Sequence, residues 1–407
     1  MKTMKTMKTI KTMKNTPIIV IMTLGFFLTT ISFCISENKT HVKEWVKFND
    51  LRTGNEVWKI TGHDSISESF YFRVNSVTSD DKYVIFRSKR SGRFDIYRCN
   101  LTNGEIAQLT NEGISFACIQ PDGENMVFIS DWRCYKMNVH TLKKEMVLDF
   151  TGKLPSNPFF GSPTFTNDGK YTLVFTSQDS KNISSGQNPS GINLYRVNLE
   201  TKEILKVLER GNFSHALINP VDPNLITYVP GPDTQNNTSL PMQDRARTRI
   251  IRVDKGTNEP YLMTPYGFRA THDSWSPLGN RFFFFEKTVG RWTPVSICSI
   301  DLNGSDYTRY YTQDSIKLGH GAVSTDGKWF IADGQDSNNN PLILLNLQDG
   351  KAKILCWPDA SINTPAEVHV HPNFSSSGNF IIYTSDIIET DKPQVYVIPI
   401  KHIKDAW

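Results

Sequence analysis

The residues with the clearest chemical potential are His369 and His371, two positions apart near the end of the chain. The segment Glu367–Phe374 is typical of a β-strand that ends in a tight turn, and Phe380–Thr384 predicts its return strand. Residues two apart in a strand share a face, so both imidazoles would point the same way. Two such imidazoles can bind one metal ion or one anionic ligand, or they can be half-buried residues of an inner strand.

Three more histidines share the sequence register of His371. The chain has nine histidines in 407 residues, so this pattern is not an effect of composition. In equivalent structural units the four would lie at one height and, with His369, could converge; alternatively, each could bond the backbone of its own unit. Each lies seven residues before a turn glycine or its equivalent: His215 before Asp222, His272 before Gly279, His320 before Gly327 and His371 before Gly378.

The types of these residues favour metal and carboxylate chemistry. Three imidazoles suit a transition metal such as Mn, Zn or Fe. Arg245, Arg247 and Arg249 alternate along a predicted strand, where their guanidinium groups could bind a carboxylate or form a solvated edge. No Gly-x-Ser-x-Gly motif supplies a serine nucleophile, and no pair of carboxylates has a spacing that favours a two-acid hydrolase.

A repeated unit positions these residues. Short β-branched and aromatic runs without long helical periodicity predict an all-β protein, and a turn recurs at intervals of about 40 to 55 residues. Seven copies predict a seven-bladed β-propeller, a single domain over residues 37–407, whose innermost strands line a central channel. Glu44–Thr61 is expected to supply the outer strand that completes the last blade. The turns are Ser79–Lys82, Pro121–Glu124, Asn167–Lys170, Pro220–Pro223, Pro277–Asn280, Thr325–Lys328 and Ser376–Asn379.

Residues 1–36 have the form of a secretory signal peptide. Five lysines and no acidic residue precede or accompany an apolar run, Pro17–Ile35, and cleavage is expected after about Ser36. An uncleaved membrane anchor is the alternative, and lipid attachment at Cys34 is less favoured because Phe33 is bulky. Without this segment the formal net charge of +4 becomes −1, so nothing predicts a nucleic acid or a membrane surface as partner. The protein is expected in the periplasm or secreted.

The five cysteines after the signal segment predict neither a zinc site nor a disulfide framework. Their number is odd and no Cys-x-x-Cys spacing occurs. A single Cys118–Cys134 disulfide is conceivable in an exported protein, and the sequence leaves it open.

The motifs resemble those of oligogalacturonate lyases, seven-bladed propellers that cleave short pectin oligomers by β-elimination. The resemblance spans most of residues 55–400, and its turn and strand motifs are shared with TolB-type propellers. The motifs that carry it are Tyr71-Phe72, Asp95-Ile96-Tyr97, His215 with Asn219–Ile226, Arg249-Ile250, His272–Pro277, His320 through Asp333-Gly334, and His369–Pro372.

The resemblance implies a Mn-type divalent ion bound by His320, His369 and His371. It implies Arg249 as the base that abstracts a proton, with His272 close by. On chemistry alone we favour His272 as base and Arg249 as carboxylate clamp, because the pKa of arginine lies far above neutral; both remain candidates. Further substrate contacts are expected from His215, Arg245 and Arg247.

Two departures from the family pattern bear on the substrate. Ala366 stands where the family has a glutamine ligand, so Glu367, Asn363 or water would complete the metal site. Val229–Asp233 replaces a His-Glu-Gly-Pro-Trp-like segment of the substrate wall. The sequence therefore predicts an exported, metal-dependent lyase for uronate oligosaccharides, working as a monomer or dimer. The alternatives are a lyase for another acidic polysaccharide, such as ulvan, and a non-catalytic TolB-like binding module.

Overall fold

The chain folds into seven antiparallel sheets in a ring, which confirms the predicted seven-bladed β-propeller. Residues 38–407 form one compact unit. The structure is a computed structural model, which describes residues 40–41, 44–62, 64–114, 116–160, 164–177, 191–210, 213–230, 248–260, 268–288, 290–336, 339–362 and 368–407.

Each sheet is one blade, and its strands follow one another from the innermost outward. Blade 1 contains Ser67–Glu68, Tyr83–Ser88, Asp95–Asn100, Ile106–Gln108 and Thr40–His41. Blade 2 contains Ala117–Ile119, Asn125–Ser130, Arg133–Asn138 and Lys144–Asp149. Blade 3 contains Tyr171–Ser177, Ile192–Asn198 and Ile204–Arg210. Blade 4 contains Phe213–Ile218, Leu225–Pro230, Arg249–Arg252 and Thr257–Pro260. Blade 5 contains Phe268–Trp275, Arg281–Thr288, Val295–Asp301 and Tyr307–Gln313. Blade 6 contains Leu318–Val323, Trp329–Gly334, Leu342–Asn346 and Ala352–Cys356. Blade 7 contains Asn373–Phe374, Phe380–Ser385, Gln394–Pro399, Glu56–Lys59 and Val46–Asn49.

Two short helices complete the described structure, the 3₁₀ turn Val253–Lys255 and the α-helix Lys401–Asp405. In blade 3, isolated bridges from Phe159 to Phe175 and from Phe165 to Thr172 stand at the inner edge.

The recurring turn has a local cause. In blade 6 the Asp326 carboxylate accepts hydrogen bonds from the Ser324 hydroxyl, at 2.5 Å, and from the Lys328 backbone N–H, at 3.1 Å. Gly327 follows with φ of 70°, a left-handed conformation that favours glycine. Asp80 and Asp168 make the same two bonds in blades 1 and 3. The repeated motif thus joins each innermost strand to the second strand of its blade.

The ring is closed by pairing the beginning of the chain with its end. Glu56–Lys59 lies antiparallel to Gln394–Pro399, with Trp58 opposite Val397. The Thr61 hydroxyl donates a hydrogen bond of 2.7 Å to the side-chain oxygen of Gln394. The expectation that Glu44–Thr61 completes the last blade is therefore confirmed.

Aromatic side chains fill the space between blades. Phe175 of blade 3 stacks on Phe213 of blade 4 with ring centroids 6.0 Å apart, and Phe283 of blade 5 stacks on Phe330 of blade 6 at the same 6.0 Å. Such pairs bury large apolar surfaces, so each blade is stabilised by its neighbours.

All five described cysteines are buried free thiols, so the conceivable Cys118–Cys134 disulfide is not formed. The reason is the strand order of blade 2, where Asn125–Ser130 lies between the strands that carry the two residues. Two strand spacings, about 9.5 Å, exceed the Cα separation that a disulfide can bridge.

The predicted signal peptide, residues 1–36, lies outside the described residues and stays a prediction. Within the described part of the chain, no helix has the length and apolar character needed to cross a membrane.

Candidate metal and substrate site

Three of the four histidines of the shared register lie at β-bulges. In blades 4, 5 and 6 the innermost strand shifts its pairing at the segment that contains His215, His272 or His320. The backbone is left-handed at His215, His272 and His371, with φ of 52°, 48° and 47°. This conformation costs a non-glycine residue on the order of 1 kcal/mol, and bulges commonly re-aim a side chain beside a functional site. The strained backbone at these positions turns the imidazoles toward the channel.

The predicted strand through the paired histidines is wrong in extent. The innermost strand of blade 7 contains only Asn373–Phe374, and both histidines precede it. Val370 still accepts a backbone hydrogen bond of 2.9 Å from Thr384, but the left-handed φ of His371 is incompatible with extended backbone. The rings of His369 and His371 are nevertheless nearly parallel, at 10°, with centroids 5.3 Å apart.

Five histidines from four blades converge in one cluster. Consecutive rings are near enough to contact one another. The distances between ring centroids are 5.3 Å for His215–His272, 4.5 Å for His272–His320, 4.3 Å for His320–His371, 5.4 Å for His320–His369 and 5.3 Å for His369–His371.

Three of these histidines form a donor set that fits a divalent metal. One ring nitrogen from each of His320, His369 and His371 lies within 4.8 Å of the others. Burial, the largest cause, holds the pKa of His371 well below its ordinary value, so it is in the neutral form that ligates metals.

His320 is held by a second layer of contacts. The Asp333 carboxylate accepts a hydrogen bond from the backbone N–H of His320, at 2.6 Å, and lies 3.0 Å from its Nδ1. The Gln335 amide donates to the same carboxylate at 2.9 Å. A carboxylate on one imidazole nitrogen leaves the other nitrogen, Nε2, to a metal, as is common in metal sites.

His272 is suited to accept a proton. It is half-buried beside His320, and burial, followed by the neighbouring His320 and His215, holds its pKa well below the ordinary value. The imidazole is therefore neutral at pH 7. Its Nδ1 is buried and has no hydrogen-bond partner among the described residues.

The segment Tyr71–Arg73 packs against the histidines. The Tyr71 ring lies 4.7 Å from that of His371, and its hydroxyl lies 3.3 Å from Nε2 of His215. Arg73 donates a hydrogen bond of 3.2 Å to Asp273. Burial raises the pKa of Tyr71 to about 12, so the hydroxyl keeps its proton. These contacts connect Tyr71 and Arg73 to the histidine cluster.

His215 belongs to the same network of polar contacts. Its Nδ1 lies 3.3 Å from the carboxylate of Asp273, which also bonds Arg73. Burial and the positive charge of Arg73 lower the pKa of His215. These contacts fix the ring at the edge of the cluster, where a substrate role remains a prediction.

The arginines predicted with the histidines are not brought into this cluster by any described contact. Arg249 begins the third strand of blade 4, opposite Tyr228, and its buried Nε has no hydrogen-bond partner in the described chain. Arg245 and Arg247 lie outside the described residues, as do the ligand candidates Asn363, Ala366 and Glu367.

Sequence reasoning missed two cations beside His272. Arg269 and Lys287 face each other on the first two strands of blade 5. A pocket of about 300 Å³ is bordered by both, together with Thr271, His272 and Trp292. Two charged residues, Glu286 and Lys287, directly follow a run of phenylalanines and so indicate charge in a buried strand. Only the pairing register shows which face of the sheet Lys287 occupies.

Replacing Lys287 by methionine is expected to stabilise the protein most at acidic pH. Lys287 is 3% exposed, and burial, then Arg269, lowers its pKa from 10.5 to about 7. Below pH 7 it is charged in the folded and the unfolded state, so the full burial penalty applies. Between pH 7 and 10.5 the unfolded state keeps the proton that the folded state releases, so wild-type stability rises with pH and the destabilisation caused by Lys287 becomes smaller. The gain from methionine should be about 2 kcal/mol or more at pH 6 and smaller at pH 9.

Urea unfolding of both proteins at the two pH values measures this difference. Lys353→Met is the matched control, because Lys353 also lies 4.3 Å from a tryptophan ring, Trp407, but is exposed. An equal gain at both pH values, or a loss at pH 6, would contradict the expectation.

Fold and site together define a seven-bladed β-propeller in which the inner segments of four blades bring five histidines into one cluster. No protein-family model matches the chain. The chain is similar to the oligogalacturonate lyase of Dickeya dadantii (strain 3937), with 22% identity over 392 residues, which cover 86% of this chain and 94% of that protein. The predicted resemblance to these lyases is thereby confirmed.

Solved structures show the same fold. A structure of an oligogalacturonate lyase in complex with manganese matches with a TM-score of 0.73 and 21% identity, covering 89% of this chain and 97% of that one. An oligogalacturonate lyase from Vibrio parahaemolyticus matches with a TM-score of 0.74 and 20% identity, covering 90% and 99%.

Proposed function

We propose that this protein is an exported, metal-dependent lyase, periplasmic or secreted, that cleaves uronate-containing oligosaccharides by β-elimination. Oligogalacturonate is the first substrate to test, and Mn²⁺ the first metal. The observation that carries the proposal is the placement of the donor set His320, His369 and His371 directly beside the neutral imidazole of His272. The similarity to oligogalacturonate lyases supports the substrate class.

The reaction removes the proton at C5 of a uronate and breaks the bond from C4 to the glycosidic oxygen. A divalent metal held by His320, His369 and His371 would neutralise the adjacent carboxylate and so make the C5 proton more acidic. The electron pair of the C5–H bond forms the C4–C5 double bond, and the departing oxygen takes up a proton. The product carries an unsaturated uronate at its new end.

The residues of this chain divide the remaining work. His272, kept neutral by burial, accepts the C5 proton. Asp333 fixes the orientation of His320, and the rings of Tyr71 and Phe72 pack against His371 and His320. Arg249, Arg245 and Arg247 would bind substrate carboxylates from blade 4, with Arg249 the alternative base.

Incubation with Mn²⁺ and a panel of oligogalacturonate, ulvan, alginate and glycosaminoglycan oligomers tests the proposal. We expect ultraviolet absorbance of the conjugated product to rise with oligogalacturonate, to stop with EDTA and to return with added Mn²⁺. A rise with another uronate polymer alone would correct the substrate and keep the reaction. Absence of any rise, together with no bound metal, would favour a non-catalytic TolB-like binding module instead.

A further inference from the structure

The positions of the two cations of blade 5, Arg269 and Lys287, are electrostatically unfavourable. They are direct partners across antiparallel strands, so their side chains share one face of the sheet. Like charges in that position repel each other, and burial of Lys287 removes the water that would screen them. Such an arrangement calls for an anion on the same face.

No described carboxylate pairs with Lys287 or Arg269 at hydrogen-bond distance, although the charge of Asp333 acts on Lys287 and partly offsets the lowering of its pKa by burial and Arg269. Glu286 precedes Lys287 but points to the opposite face, where Tyr307 and Arg309 bond its carboxylate. Asp333 already accepts bonds from His320 and Gln335. In the described chain, the Nζ of Lys287 and the Nε of Arg269 are buried without a hydrogen-bond partner.

The pocket next to these groups has the shape and composition of a sugar-acid site. It measures about 300 Å³ and extends from His272 to Trp292. Trp292 is 52% exposed, and its ring centre lies 4.3 Å from the Nζ of Lys287. A half-exposed aromatic ring offers an apolar wall for the C–H face of a sugar, and the cations form a charged floor.

We propose that Lys287 and Arg269 bind the carboxylate of a second uronate, next to the one held by the three-histidine donor set. This inference rests on the proposed action on uronate oligosaccharides. Every unit of such an oligomer carries its own carboxylate, so neutralising one unit leaves the neighbour's charge to be matched. Charge-assisted bonds from an ammonium and a guanidinium provide that match. The pocket thereby selects acidic oligomers over neutral or esterified ones.

Binding of trigalacturonate to the Mn²⁺-loaded protein tests the proposal by calorimetry. All proteins carry His272→Gln, so that turnover does not consume the ligand and the compared variants share one background. We expect Lys287→Met to raise Kd by about tenfold for trigalacturonate and by less than about twofold for its methyl ester. Lys287→Arg should restore most of the affinity because it keeps the charge.

Lys353→Met, which alters an exposed lysine over Trp407, should bind as the parent does. Circular dichroism and thermal unfolding identify any variant that fails to fold, and Lys287→Arg then carries the comparison. An unchanged Kd in Lys287→Met, an equal loss for acid and ester, or no binding of trigalacturonate at all would overturn the proposal.

The outcome is separable from that of the proposed function. If the wild-type protein cleaves trigalacturonate but Lys287→Met binds it normally, the second-carboxylate site is wrong and the lyase stands. If binding depends on Lys287 and on the free carboxylates but no cleavage occurs, the site stands and the lyase is wrong.

Discussion

His272→Gln is expected to reduce kcat for oligogalacturonate cleavage by about 10² to 10⁴-fold, the usual contribution of a positioned general base. In the proposed reaction the neutral imidazole of His272 accepts the C5 proton, whereas the glutamine amide cannot. KM should change little, because the variant keeps a polar side chain of similar size. Steady-state rates from the ultraviolet absorbance of the product measure both constants.

Two further variants make this result specific. His140→Gln alters a histidine whose ring contacts Tyr83 of blade 1 and should leave kcat unchanged. Arg249→Met removes the rival base; if it acts as a carboxylate clamp, the loss should be mainly in KM. Retention of most activity by His272→Gln, with full loss in Arg249→Met, would assign the base to Arg249.

His371→Ala is expected to lower the affinity for Mn²⁺ by more than about 100-fold. Even the loss of an outer contact such as Asp333 costs a metal site about 10 to 100-fold, and His371 belongs to the donor set itself. Metal content after dialysis and calorimetric titration with Mn²⁺ measure the effect without reference to activity. Asp333→Asn should give the smaller of the two losses.

The exposed His402 of the C-terminal helix offers the matched substitution, since His402→Ala should bind Mn²⁺ as the wild-type protein does. Wild-type affinity in His371→Ala would remove the three histidines as the metal site. In that case the cluster would be a packing arrangement of imidazoles.

Much of the fold was predictable because each blade repeats the same short sequence motif. The turn around Asp326 and Gly327 needs a carboxylate and a left-handed glycine at fixed offsets, so its copies are visible without any tertiary information. Residues at the same sequence distance from these turns lie at the same height along the propeller axis. For this reason the sequence could place His215, His272, His320 and His371 together.

The features that the sequence could not predict depend on contacts between blades or on departures from the repeat. Tyr71–Arg73 is an irregular segment of blade 1, and only the folded ring brings it against His371 and Asp273. The bulges were hidden because a strand pattern does not show a left-handed residue within it. The partnership of Arg269 with Lys287 required the strand register, which short apolar runs leave open.

The pairing of Thr61 with Gln394, 333 positions apart, bears on how the protein is made. Contacts so distant in sequence are slow to form, because the loop-closure entropy is lost before they give any stabilisation. His369 and His371 belong to the last blade, so their meeting with His320 comes late, after synthesis of nearly the whole chain. A ligand that binds only this completed cluster shifts the equilibrium toward the closed ring, so a bound metal would favour completion of folding.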